Sequence, residues 1–139
     1  MREIKYIVLH CTAGPQTQTV ESIQGYWKNS LGWRDPGYHF LINAKGEAIQ
    51  LLSIEKPSNG VKGFNANSIH ISYIGGVDSK GKAIDNRTPA QIQKQIELLV
   101  KFKAMFPKAE IKGHRDFDGV KKECPSFDVE EWLKCVGIK

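Results

Sequence analysis

The chain has 139 residues, 40% of them hydrophobic, which suits one core, excludes two full domains and predicts a single domain over 1–139. Twenty Lys and Arg against 15 Asp and Glu give a net charge of +5, which favours an anionic partner. No run of about 18 apolar residues occurs in the sequence, which excludes a membrane-spanning helix.

The first residues, "MREIKYIVLHCTAG", do not form a signal peptide, because Lys5 interrupts the apolar run and His10 ends it. We therefore expect synthesis in the cytoplasm without a leader. Three cysteines, an odd number in a reducing compartment, argue against a disulfide framework. Their thiols are left for metal binding, nucleophilic chemistry or packing.

The first third of the chain predicts a buried strand followed by a helix. The stretch "IKYIVLH" is nearly all apolar and rich in β-branched residues, as in a strand covered on both faces. Thr17 or Thr19 is a candidate N-cap for a helix that ends near Gly32. Its apolar positions recur at helical spacing: Val20, Ile23, Trp27 and Leu31.

The middle of the chain predicts three strands. "YHFLIN" and "AIQLL" flank the turn "AKGE" and form a hairpin, in which Tyr38 and His39 point to opposite faces. "NSIHISYIGG" predicts another strand, ended by a glycine pair, with His70 at a partly exposed position.

The clearest helix begins after Thr88, which we expect as the N-cap, with Pro89 at N1 and Gln91 completing a capping box. One face is expected to carry Ile92, Ile96, Leu99 and Lys103. A short strand, "AEIKGH", and a last helix, "DVEEWLKCV" with Asp128 and Glu131 as a capping box, follow. The order of elements predicts an α/β fold with a central mixed sheet flanked by helices on both faces.

Two histidines and one cysteine stand where elements end. His10 closes the first strand, His114 closes the late strand, and Cys124 lies in the loop beyond it. Functional sites gather at strand ends in such folds, and zinc takes imidazole nitrogen and thiolate readily. The set therefore suits a catalytic zinc ion, and the alternative is a core histidine, an exposed histidine and a small buried cysteine.

Several stretches resemble the N-acetylmuramoyl-L-alanine amidase type 2 family, related to peptidoglycan recognition proteins, and within it the compact phage-lysozyme-type branch. They occur in the family's order over nearly the whole chain: "IVLHCTAG", "DPGYHFLIN", "VKGFNANSIHISYIGGVDSKGK", "TPAQ" and "KKECPSFDVEEW". The resemblance implies a zinc enzyme that cleaves the amide between N-acetylmuramic acid and the L-alanine of the stem peptide.

The resemblance also implies roles for individual residues. His10, His114 and Cys124 match the family's zinc ligands, so that Cys124 serves as a thiolate. Tyr38 matches its catalytic tyrosine and Lys122 a lysine of the phage-type branch, with either one moving the proton. Without the family match, Tyr38 is a packed strand residue and Lys122 a solvated loop charge.

Substrate contacts are expected from polar and cationic side chains beside the zinc: Lys62, Phe64, Asn65, Asn67 and Arg115. The sequence also departs from the pattern. Some relatives have a histidine near Gly60, and His70 stands where the branch more often has a small residue. His39 is expected in the core or behind a ligand rather than as a ligand itself.

Other functional classes remain open at this point. Some members of the family bind peptidoglycan without cleaving it, having lost the cysteine that this chain keeps. Nucleic-acid binding is not expected, because the lysines are scattered without interleaved aromatic residues. We expect a monomeric phage or prophage endolysin that reaches the cell wall after the membrane is permeabilised, with a cytosolic amidase that recycles muropeptides as the rival.

Overall fold

A five-stranded mixed sheet lies at the centre of the protein, whose computed structural model describes residues 2–139. The strands are β1 (Tyr6–Cys11), β2 (Phe40–Ile42), β3 (Ala48–Gln50), β4 (Ser68–Tyr73) and β5 (Glu110–Gly113). Their spatial order is β3-β2-β4-β1-β5. Only the β2–β3 hairpin is antiparallel, while β1 runs parallel to β4 and β5, and β2 parallel to β4. The predicted mixed sheet is confirmed.

Helices cover both faces of this sheet, as the sequence predicted. They are α1 (Val20–Gly25), which continues as a π-helical segment over Tyr26–Ser30, α2 (Pro89–Met105) and α3 (Val129–Val136). Ile7 and Leu9 of β1 pack in one core with α2 and α3, whereas α1 packs with Leu41 and Ile74 in a second. Across residues 2–139 we find no helix with the length and apolarity to cross a membrane.

The helix starts follow from side-chain caps. Thr19 accepts the Ser22 N–H of α1, and Thr88 and Gln91 form the predicted reciprocal capping box of α2. Asp128 accepts the N–H of Glu131 to cap α3. Each cap satisfies a backbone donor that the first helical turn leaves without a partner.

The residues predicted to share one face of α2 are not the ones that it buries. The buried residues are Gln91, Gln95, Leu98, Leu99 and Phe102, so Leu99 alone belongs to both sets. The buried Gln91 amide donates to two carbonyls, that of Ile42 in β2 at 3.1 Å and that of Ile74 directly after β4 at 3.0 Å. Leu31, one of the apolar positions at helical spacing in the first predicted helix, is 41% exposed.

Candidate metal centre and active site

The three residues predicted to bind metal converge at one edge of the sheet. His10 lies near the end of β1, and His114 directly follows the parallel strand β5, so their rings meet with centroids 4.8 Å apart. The loop from β5 to α3 brings Cys124 to the same place. One ligand atom from each residue lies within 4.8 Å of the other two.

The spacing between His10 and Cys124 is close to that of two ligands in a tetrahedral zinc site. His10 Nδ1 lies 3.8 Å from the Cys124 Sγ. Zinc bonds of about 2.3 Å to sulfur and about 2.0 Å to nitrogen at a tetrahedral angle require an N···S separation of about 3.5 Å. Two imidazoles and a thiolate are also a donor set that zinc prefers, so the residues present fit this ion.

The loop that carries Cys124 is held by hydrogen bonds to the sheet. The backbone N–H of Cys11 donates to the Cys124 Sγ at 3.1 Å, and that of Arg115 donates to the Cys124 carbonyl at 2.9 Å. The Tyr73 hydroxyl donates to the Pro125 carbonyl at 2.7 Å. Donors from β1, from β4 and from the segment after β5 thus hold Cys124 and Pro125 in place.

Burial sets the protonation states of the three candidate ligands. It holds the pKa of His10 well below its usual range, and burial together with Lys122 lowers the pKa of His114 to about 4. Both imidazoles are therefore neutral at pH 7. A hydrogen bond with Cys11, together with burial, raises the pKa of the Cys124 thiol. A metal ion that binds here must displace the thiol proton.

Tyr38 lies against the metal centre. Its ring is 4.9 Å from that of His10 and 5.4 Å from that of Trp27, and its hydroxyl donates to the Cys11 carbonyl at 3.3 Å. Burial raises its pKa, so the phenol stays protonated and acts as a hydrogen-bond donor.

The expectation that Tyr38 and His39 point to opposite faces is wrong. Regular β2 begins only at Phe40, so the two-residue alternation does not extend back to Tyr38. The His39 ring stacks on that of His70 at 6.0 Å, and the His70 ring in turn lies 4.9 Å from His10. Both side chains thus lie near the same histidine cluster.

A groove of about 440 Å³ opens beside His114. Its lining includes Trp33 and three lysines: Lys62, Lys121 and Lys122. Lys122 is exposed and close enough to lower the pKa of both ligand histidines. The groove therefore joins the metal centre to a cationic surface.

The other side chains expected to contact substrate have partners within the protein. Phe64 packs edge-on against Tyr6 at 6.0 Å and against Phe117 at 4.6 Å. Asn67 donates to the Glu3 carbonyl at 2.9 Å, next to the start of β4, whereas the metal centre lies near the end of β1, the parallel neighbour of β4. Of the five residues, Lys62 lines the groove.

Arg115 and Asn65 are also engaged locally. Arg115 forms an ion pair with Glu123 at 3.7 Å, in the loop that carries Cys124. Asn65 accepts the backbone N–H of Val61 at 2.8 Å. Its side chain points into the protein, toward His70, which lies 2.8 Å away.

Sequence reasoning missed the position of His70. The expectation of partial exposure is wrong, because its exposed fraction is 0% and its Nδ1 lies 2.8 Å from His10 Nε2. In the β1–β4 register His10 pairs with Ser72, so His70 is a diagonal neighbour on the same face. Two features of the sequence could have indicated this position. His70 stands in β4 where the branch more often has a small residue, and the histidine that some relatives have near Gly60 is absent.

Comparison with known proteins gives the same family as the sequence motifs. The chain matches the family model N-acetylmuramoyl-L-alanine amidase over residues 1–127. It is 36% identical over 132 residues to an endolysin of Klebsiella phage KP32, covering 94% of this chain and 86% of that one. It is 37% identical over 127 residues to an endolysin of Escherichia phage T7, covering 91% and 83%.

A solved structure extends the likeness to three dimensions. The Ph2119 endolysin from Thermus scotoductus MAT2119 bacteriophage Ph2119 aligns with a TM-score of 0.82 at 29% identity, covering 100% of this chain and 88% of that one. Fold, sequence and the geometry of the strand ends agree, and the chain belongs to the N-acetylmuramoyl-L-alanine amidase family.

Proposed function

We propose that this amidase hydrolyses the amide between N-acetylmuramic acid and L-alanine in peptidoglycan, with zinc held by His10, His114 and Cys124. The observation that carries the proposal is the meeting of two neutral imidazoles and one thiol, with ligand atoms within 4.8 Å of one another, beside an open groove. The family match and the endolysin names of its relatives support the reaction.

The chemistry needs a nucleophile and a way to stabilise negative charge. Zinc, when bound by such ligands, polarises a carbonyl oxygen and makes water acidic near neutral pH. The Cys124 thiolate lowers the net charge of the centre. Tyr38, which stays protonated, donates its hydroxyl hydrogen to the oxygen on which charge develops.

Lys122 supplies positive charge from the groove. It lines the same cleft as His114, and its ammonium stabilises the oxyanion through space. A donor in direct contact with the oxyanion typically contributes roughly 3 kcal/mol to barrier lowering, and an exposed ammonium that acts through space contributes less. Lys62 and Lys121 line the same groove and meet the carboxylates of a stem peptide.

The biological role that we propose is that of a monomeric phage or prophage endolysin, acting on the wall once the membrane is permeabilised. The three relatives described above are named endolysins. The cysteine ligand is present, and this favours catalysis over binding alone.

The test is digestion of intact peptidoglycan and of soluble muropeptides by the purified protein, with chelator, without it, and after zinc is restored. Mass spectrometry of the products should find new L-alanine amino termini from both substrates, lost with chelator and regained with zinc. New reducing sugar ends would contradict the proposal. Cleavage of soluble muropeptides alone indicates a recycling amidase, and binding without cleavage indicates a recognition module.

A further inference from the structure

A line of three side chains extends from the metal centre into the protein: the buried His10 and His70, followed by the half-buried Asn65. His10 Nε2 lies 2.8 Å from His70 Nδ1, and His70 Nε2 lies 2.8 Å from Asn65 Oδ1. Both histidines have an exposed fraction of 0%. We call His70, Asn65 and His39 the interior side of His10, and His114, Cys124, Tyr38 and Lys122 its groove side.

The direction of each proton follows from one unambiguous donor. The backbone N–H of Val61 donates to the side chain of Asn65 at 2.8 Å, which identifies the accepting atom as Oδ1. This oxygen can only accept, so His70 carries its proton on Nε2. His70 Nδ1 therefore accepts from His10 Nε2–H, and His10 Nδ1 is left with a free lone pair facing Cys124.

The backbone of His70 is held as well. Its N–H donates to His39 Nδ1 at 3.0 Å, and the other ring nitrogen of His39 donates to the Lys56 carbonyl at 2.7 Å. The His70 ring is thus fixed by its own backbone and by Asn65, without a contact to solvent.

Gly60 supplies the space for this ring. A Cβ built on Gly60 would overlap the imidazole of His70. The φ angle of Gly60 lies outside the left-handed region, so the backbone does not require glycine there. The three atoms nearest to such a Cβ all belong to the His70 ring, so a side chain at position 60 and the ring at position 70 would occupy the same space.

We propose that His70, backed by Asn65, is a positioning residue that fixes the tautomer and ring plane of His10 so that Nδ1 is presented to the metal, and that Gly60 is the residue that admits it. The proposal rests on the function proposed above, since it takes His10 as a zinc ligand. A hydrogen bond to the distal nitrogen of a ligand histidine typically changes metal affinity by about 10- to 100-fold. Here a neutral His–Asn pair provides it, so the net charge of the centre is unchanged.

Two substitutions of His70 separate positioning from packing. In His70→Asn the amide oxygen takes the place of Nδ1 and still accepts from His10. In His70→Gln the polar atoms reach the place of Nε2, near Asn65, and the acceptor for His10 is lost. Asparagine is one methylene shorter than glutamine and leaves the larger cavity, so a role in packing alone would harm His70→Asn more than His70→Gln.

The measurements are zinc affinity by competition with a chromophoric chelator and the His10 tautomer by long-range proton–nitrogen NMR, with thermal unfolding as the check on folding. We expect His70→Asn to bind zinc within about threefold of the parent and His70→Gln to bind it about 10- to 100-fold more weakly. Equal affinities in the two variants would overturn the proposal.

The tautomer of His10 tests the positioning role of His70 in the metal-free protein, independently of zinc binding. In the metal-free parent protein we expect the His10 proton on Nε2, and we expect a mixture of tautomers in His70→Gln. A proton on Nδ1 of His10 in the parent would refute the positioning role even if zinc binds. A parent protein that shows the Nε2 tautomer but binds no zinc would refute the proposed function and leave the positioning role intact.

Discussion

The two nitrogens of the His10 ring face different surroundings. On the groove side, Nδ1 faces the thiol of Cys124, and the neighbouring His114 lines a cleft that also contains three lysines. On the interior side, Nε2 faces a histidine with no exposed surface and an amide whose oxygen has two donors. The groove-side residues therefore contribute ligand atoms and charges to the metal and the substrate. The interior-side residues instead fix the position of the His10 ring and the nitrogen that carries its proton.

The largest expected effect comes from removing the groove-side sulfur. Cys124→Ser should lower amidase activity by at least about 1000-fold and abolish stoichiometric zinc binding, because a hydroxyl is a far poorer ligand than a thiolate. Zinc content and product release from peptidoglycan measure this. Cys135→Ser, at an exposed cysteine, is the control. Full activity in Cys124→Ser would remove the metal assignment.

Tyr38→Phe tests the groove side without removing a ligand. The ring that packs on His10 and Trp27 is kept and only the hydroxyl is lost. We expect kcat to fall about 100- to 1000-fold with KM and zinc content nearly unchanged, as for loss of one donor to the transition state. A variant that lost its zinc instead would show that Tyr38 supports the metal site rather than the reaction.

Acid should destabilise the interior side. Burial, reinforced by the charge of Arg2, lowers the pKa of His39 to about 4, while the Lys56 carbonyl acts in the opposite sense. In the unfolded chain a histidine has a pKa of about 6.5. The unfolded state therefore takes up a proton that the folded state does not, so stability falls as the pH drops from about 6.5 to 4.

The size of this loss is on the order of 3 kcal/mol for His39 alone. Urea unfolding of the parent and of His39→Asn at several pH values measures it. The asparagine oxygen keeps the acceptor for the His70 N–H, and the charged group that faces the His39 ring, Arg2, is unchanged. Parallel pH profiles for the two proteins would contradict the prediction.

Gly60→Ala should weaken zinc binding through His70. The new methyl group displaces the His70 ring, and we expect an affinity loss of about tenfold in the parent background. In a His70→Ala background the space is free, so the same change should alter affinity by less than about twofold. Equal losses in both backgrounds would mean that Gly60 matters for another reason.

The smallest effect is expected at the rim of the groove. Lys122→Ala should lower kcat by roughly tenfold, since an exposed ammonium acts through a high dielectric. Its neighbour Lys121 lines the same groove, and Lys121→Ala is the matched control for loss of one charge. An equal decrease in both variants would assign the effect to general charge rather than to Lys122.

The two ligand histidines could be located from the sequence because they lie at the ends of parallel strands, whereas Cys124, Tyr38 and Lys122 were assigned through the resemblance to the amidase family. Such ends meet at one edge of a sheet, so His10 and His114 had to approach each other once β1 and β5 were recognised. Helix starts were equally accessible, since a cap depends on side chains three residues apart.

The interior side could not be located in this way. His70 is buried because Gly60, ten positions away in the chain and in no regular element, leaves room for its ring. Gln91 and Gln95 of α2 are buried for a similar reason. Gln91 donates to the Ile42 and Ile74 carbonyls, and Arg87 donates to the Gln95 amide oxygen. The periodicity of hydrophobic residues in a sequence cannot predict burial that depends on such polar hydrogen bonds.

The shared volume at positions 60 and 70 constrains how this enzyme can diverge. A lineage that moved the imidazole from β4 to the neighbouring loop would need two substitutions. If the histidine at position 60 is gained first, two imidazole rings compete for one space. If the histidine at position 70 is lost first, no imidazole remains there. The two sites therefore form an evolutionary unit, and a library that randomises both together should recover active sequences that no series of single steps reaches.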